Sequence, residues 1–201
     1  MTLGMSIALY GLALSIVLSA VIVGTLYVNP RLLLQSYPAG IQRAAGPKTA
    51  PERRRTRIID AFFLLLLIGI PALSTWLLER SLGGDIAFPT AFLNAFGILT
   101  VFNAVDWLII DWLLFCTVTP KFLVIEGTEG MAEYKDYFFH FRGFAAGTAL
   151  AAAASLALAA AFALFQAARA EKRLPPPRPF EPLGGTAPNR FSGTGVPSNS
   201  G

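Results

Sequence analysis

The chain has 201 residues, of which 54% are hydrophobic and 14% charged, with a formal net charge of +4. A water-soluble domain carries roughly 25% charged residues, so this composition points away from a soluble fold. The charges are also clustered: positions 1–30, 61–78, 86–105 and 143–168 carry none. Crossing a bilayer core of about 30 Å takes about 20 mainly apolar helical residues, and these four stretches meet or approach that length. An all-α integral membrane protein with four transmembrane helices follows, over about 3–28, 58–78, 90–118 and 143–168.

Cys116 is the only cysteine and His140 the only histidine. No intrachain disulfide, CxxC pair, bis-histidine haem ligation or HExxH zinc site is therefore available to one chain. GxSxG, GxxxxGK[ST] and GxGxxG are also missing from the sequence. A nucleotide- or thiol-driven enzyme is not expected on these grounds, nor a metal site or cofactor, and the balance leans away from enzyme activity without closing it. The positive charge sits in Arg-rich flanks of the apolar segments, which fits membrane topology and not nucleic-acid binding.

Segment one, Leu3 to Val28, is about twice the length of a signal-peptide core and lacks a basic leader, so it is expected to remain as a helix. Asn29-Pro30 ends it, because the residue before a proline is pushed out of the helical region. The connection 29–57 closes on Arg53, Arg54, Arg55 and Arg57, a basic run expected to orient the chain and to attract anionic lipid headgroups. Segment two follows, with Pro71 expected to kink it. Asp60 near its start is expected to pair with Arg57 at i,i+3.

Segment three carries the charges. At α-helical spacing, Asn103, Asp106 and Asp111 fall within an arc of about 140°, with Thr100 and Thr117 on the same side and the aspartates about 7.5 Å apart along the axis. An aspartate at the centre of a membrane helix costs about 2.5–3.5 kcal/mol, so both should face the bundle or a wet cavity. They are candidates for a proton or cation site, with Asn103 as a neutral ligand. The structural alternative is interhelical glue, with hydrogen bonds from Trp107, Trp112, Asn94, Arg57 or Arg142. Cys116 is expected to be a small apolar filler.

Glu126-Gly127-Thr128-Glu129-Gly130 reads as a turn, with Thr128 capping a short amphipathic helix from Met131 that carries Tyr134, Tyr137, Phe138 and Phe141 on one face. His140 is expected to be an interfacial residue of that helix. In segment four, Gly143, Gly147, Ala151 and Ser155 form a small-residue ridge, and Gly11, Ser15 and Ser19 form another in segment one. Such faces are where membrane helices approach closely, either within the chain or in a homo-oligomer. From position 169 the Pro/Gly-rich tail is expected to be disordered, with a PxxP ligand as the lesser alternative.

Lysine and arginine counts in the connections vote ten to six for loops 29–57 and 119–142 in the cytoplasm and both termini outside. Arginine outnumbers lysine twelve to four, which suits a GC-rich bacterial genome and hence a plasma (inner) membrane. The first function expected is a non-catalytic component that packs with itself or with partner membrane subunits. The alternative is a small proton- or cation-linked transporter or channel-like protein using Asp106 and Asp111. A lipid-modifying enzyme ranks third, since no nucleophile or phosphate-binding motif supports it.

Overall fold

A computed structural model of the chain describes residues 1–173, whose regular secondary structure is all helical with no strand among them. Among the described residues, four helices are long and apolar enough to cross a membrane: Leu3–Val28, Ala50–Ser81, Phe88–Val118 and Tyr137–Lys172. The expected tail from 174 to 201, with its PxxP reading, lies outside the described residues.

Helix α1 (Leu3–Val28) starts at Thr2, whose hydroxyl accepts from the Met5 N–H, and stops at Asn29 ahead of Pro30. A 3₁₀ stretch, Pro30–Ser36, and the short α2 (Ala39–Ala45) follow. Helix α3 (Ala50–Ser81) begins well before the apolar run at 58, because Thr49 and Glu52 form a reciprocal capping box with Pro51 in the first turn. Arg53, Arg54, Arg55 and Arg57 thus lie on a solvent-facing helical extension and are all exposed. The helix continues unbroken through Pro71.

Helix α4 (Phe88–Val105) runs directly into a π-helical segment, Asp106–Val118. Thr119, with φ of 45°, ends it in the left-handed region, and its N–H donates to the Leu114 carbonyl at 2.9 Å. Helix α5 (Tyr137–Arg173) absorbs most of the residues assigned to a separate amphipathic helix. Only a 3₁₀ turn, Ala132–Lys135, precedes it, so the expected interfacial helix before segment four is replaced by a turn and a longer α5. Thr128 caps no helix; its hydroxyl donates to the Ile125 carbonyl at 2.6 Å and meets the Tyr134 hydroxyl at 2.6 Å. At the other end α5 continues to Arg173, beyond the boundary expected at 168.

Helix α4 is the hub against which α1, α3 and α5 pack. Backbones approach where side chains are smallest. A Cβ on Gly11 of α1 would sit 2.9 Å from Val101, one on Gly97 of α4 would sit 2.8 Å from Ile7, and one on Gly147 of α5 would sit 2.6 Å from the Asn103 side chain. The two small-residue faces therefore engage α4 from opposite neighbours instead of engaging each other. Ala151 and Ser155 continue the α5 face in buried positions. A Cβ on Gly143 would meet nothing within 4 Å, so this glycine takes no part in that close approach. In α1, the Ser15 hydroxyl donates back to the Gly11 carbonyl at 2.7 Å, and the Ser19 hydroxyl is buried without a partner among the described residues.

Three clusters stack along the bundle. Leu14, Leu18, Ile98, Leu99, Phe102 and Ala151 form the middle. Leu78, Ile86, Ala91 and Ala159 form the end nearest the N-terminus. A folded cap from the two longer connections closes the other end around Tyr37, which is fully buried against Phe115 and Tyr134. Between the first two clusters, Asn94 Nδ2 donates to the Ser74 and Thr75 hydroxyls, both at 3.1 Å, and Ser74 meets Ser6 at 2.8 Å. That polar layer ties α1, α3 and α4 together.

Candidate functional site

The π segment decides which side chains share a face. Where the backbone bonds i to i+5, residues five apart lie closer round the axis than in an α-helix, and a π turn in a helix is a rare geometry that recurs at functional sites. The Trp107 and Trp112 rings accordingly meet edge-on with centroids 4.6 Å apart, and the Thr117 hydroxyl donates to the Trp112 carbonyl at 2.7 Å. Asp106 and Asp111 have the same five-residue separation. The α-helical arithmetic of a 140° arc with a 7.5 Å axial rise therefore does not apply across this segment, where a wider turn brings Asp111 nearer the Asp106 side.

Both aspartates line a cavity of about 680 Å³ bounded by α1, the cap, α3, the π segment and α5. Asn103 joins them, so the three residues expected to form a site are brought together. The cavity adds residues that sequence spacing had assigned elsewhere. Asp60 of α3 lines it and makes no ion pair with Arg57 among the described residues, where the ion pairs are Arg31 with Glu52, His140 with Asp111 and Arg169 with Glu79.

His140 is the larger correction. It is 3% exposed, packs its ring against Phe115 at 4.9 Å, and places Nδ1 3.0 Å from Asp111 Oδ1. Its Nε2 is buried with no partner among the described residues. The reason is the start of α5 at Tyr137, which puts His140 one turn before Gly143 on the face that continues through Gly147 and Ala151. The residue thus turns inward with the small-residue ridge.

The expected glue donors do not serve the aspartates. Trp107 and Trp112 bury their indole N–H groups without a partner among the described residues, Asn94 is committed to Ser74 and Thr75, and Arg57 and Arg142 are exposed. Asn103, in contrast, is a real interhelical tie: its Nδ2 donates to the Phe144 carbonyl at 3.0 Å and to the Thr148 hydroxyl at 2.9 Å. The Asp106 side chain carries no hydrogen bond or ion pair among the described residues and lines the cavity.

Aromatic rings supply much of the remaining wall. Trp107 stacks on Phe144 at 4.5 Å, and Tyr37, Phe63, Phe115 and Phe139 also line the space. The Tyr37 hydroxyl donates to the Leu123 carbonyl at 2.8 Å, and burial, reinforced by Tyr134, holds its phenol well above the usual range and therefore neutral. Cys116 is fully buried, as expected for an apolar filler. The Arg53 to Arg57 run lies on the exposed extension of α3, away from the lining of the cavity.

Chemically, the site is a partly apolar chamber with three carboxylates, one imidazole and no lysine or arginine among its described lining residues. Such a set exchanges protons or holds positive charge. No family model matches the chain, and neither a curated relative nor a solved structure matches it.

Proposed function

We propose that this chain is a small multi-pass membrane protein, with the four long helices crossing the bilayer, that couples proton exchange to cation binding in the chamber around Asp106. Supporting this is the position of Asp106: a carboxylate among apolar helices that faces open space and is tied to no neighbouring helix. A carboxylate serving as glue would be hydrogen-bonded, because leaving a buried charge unpaired costs several kcal/mol. An intramembrane ionisable group in such a place is the mark of an ion or proton pathway. Asp111 and His140 lie 3.0 Å apart at the edge of the same chamber.

The orientation that goes with this proposal puts the cap in the cytoplasm and both termini outside a bacterial inner membrane, following the ten-to-six charge vote. Arg53, Arg54, Arg55 and Arg57 would lie at the anionic headgroups, worth about 1 kcal/mol each. The expectation of an accessory subunit that packs through its small-residue faces has less to draw on, since Gly11 and Gly147 already meet α4 of the same chain.

The test is thermal unfolding of the full chain in lipid nanodiscs between pH 5 and 9, for wild type, Asp106→Asn and Asp111→Asn. The wild-type midpoint is expected to depend on pH, and each variant to fold while losing part of that dependence. A pH-independent wild type overturns the proposal and returns the aspartates to a packing role.

A further inference from the structure

Three carboxylates, Asp60, Asp106 and Asp111, face one chamber whose described lining contains no lysine or arginine. Asp60 is exposed, whereas Asp106 and Asp111 are partly buried, and carboxylates drawn out of water demand compensating positive charge. Two features of the chamber decide what kind of cation suits it.

The first is size. About 680 Å³ falls within the 300–1,000 Å³ typical of small-molecule sites and exceeds by far the roughly 30 Å³ that one water occupies in the liquid. A bare metal ion would leave most of it unfilled, and among the described residues no three His, Cys, Asp or Glu side chains are grouped to hold a metal. The second feature is the wall. Phe63, Trp107, Phe139 and Phe144 present aromatic surface beside the carboxylates. Ring faces attract cations, and aromatic cages are the recurring means of binding quaternary ammonium groups. His140 adds an independent pointer to a ligand, being 3% exposed at the cavity wall with Nε2 unpartnered among the described residues.

Resting on the proposed proton-linked function, we infer that the chamber binds an organic ammonium ion with an apolar or aromatic body, its cationic centre between Asp106 and Asp111 and its body against Trp107, Phe139 and Phe144. A soluble amine and an aminophospholipid headgroup both carry such an ammonium, and the recognition chemistry is the same for either. Protons compete with the guest for the carboxylates. The titratable groups that share the chamber with Asp106 are Asp60 from α3, Tyr37 from the cap, Asp111 from the π segment and His140 from α5, while α1 contributes only Ile22 and Leu26.

The experiment is calorimetric titration of the full chain, in phosphatidylglycerol nanodiscs at pH 8, with benzyltrimethylammonium, benzyl alcohol, Na⁺ and Mg²⁺ at constant ionic strength. Benzyltrimethylammonium is expected to bind saturably and the other three not to. Asp106→Asn should weaken binding roughly tenfold or more, the loss of one charged partner. In the wild type alone, affinity should fall on lowering the pH, which tests proton competition even if the variant fails to fold. Repeating the titration with phosphatidylethanolamine in the disc separates the two sources: weaker apparent binding there means the headgroup occupies the chamber, and unchanged binding means a soluble amine. Binding of benzyl alcohol as tight as the ammonium, binding of the metal ions alone, or no binding at all overturns the inference. If the pH-dependent stability described above persists in that case, the proton-linked function stands without this guest; if it too is missing, both fall.

Discussion

His140 Nδ1 lies 3.0 Å from Asp111 Oδ1, joining α5 to the π segment across the edge of the chamber. A carboxylate at that distance from a ring nitrogen holds the imidazole in place, an ion pair when the ring is protonated, while Nε2 stays buried and unpartnered among the described residues. His140→Asn keeps a donor near the Nδ1 position, and His140→Leu removes it. The leucine variant should be destabilised by about 1 kcal/mol, the loss of a polar contact to a carboxylate that is itself 23% exposed, and the asparagine variant by less. Chemical or thermal unfolding in nanodiscs compares them, and equal losses would mean that ring packing against Phe115 dominates.

The small-residue ridge of α5 makes a sharper test than its uniform spacing implies. A Cβ at Gly147 would sit 2.6 Å from Asn103 Oδ1, while one at Gly143 meets nothing within 4 Å. Asn103 cannot simply swing aside, because its Nδ2 is bonded to the Phe144 carbonyl and Thr148. Gly147→Ala should cost about 1–3 kcal/mol through overpacking, and Gly143→Ala should be neutral or slightly stabilising. Matching unfolding midpoints for the two variants would argue against the α4–α5 contact.

Tyr37 couples the cap to pH. Its hydroxyl donates to the Leu123 carbonyl at 2.8 Å, and its folded-state pKa is raised, chiefly by burial. A raised pKa means that its contribution to stability is whole below the unfolded value of about 10 and declines as pH rises beyond that. Tyr37→Phe should therefore be less stable by about 1 kcal/mol at neutral pH, with the gap closing above pH 10. A gap that stays constant with pH would show that the phenol does not titrate with unfolding.

Glu79, 1% exposed, has Arg169 as its ion-pair partner at 3.6 Å. Neither of its carboxylate oxygens accepts a hydrogen bond among the described residues. Removing only the cation leaves a buried charge, whereas removing only the charge does not. Arg169→Ala should destabilise by about 1–2 kcal/mol, reduced because Arg169 itself is half-exposed, while Glu79→Gln should be close to neutral. Melting curves at low and high salt would separate the two, since the first effect depends on charge.

Much of the fold is written in one-dimensional composition. Four apolar runs without charge are long enough for four helices, and Asn29-Pro30 is enough to end the first of them. The early start of α3 is also present in the sequence as Thr49-Ala-Pro-Glu52, a capping box followed by the arginine run; the uncharged stretch alone draws the boundary too late. Extending the Gly143–Gly147–Ala151 face one turn back reaches His140, and Phe63, Leu64 and Leu67 fall on the Asp60 side of α3, so both residues had a signal in the sequence.

Local patterning along the chain sets the number and rough extent of the long helices, the basic flank, the small residues where backbones meet, and the unusual cost of Asp106 and Asp111. Tertiary structure alone decided the register of the third helix after Asp106, the partner of Asp111 and the existence of a chamber. The physical reason is that hydrophobicity and helix signals act through residues near in sequence, whereas a switch to i→i+5 bonding is stabilised by what packs around the segment. Trp107 on Phe144 and Trp112 on Tyr137 are contacts between the π segment and α5, brought together only when the helices assemble.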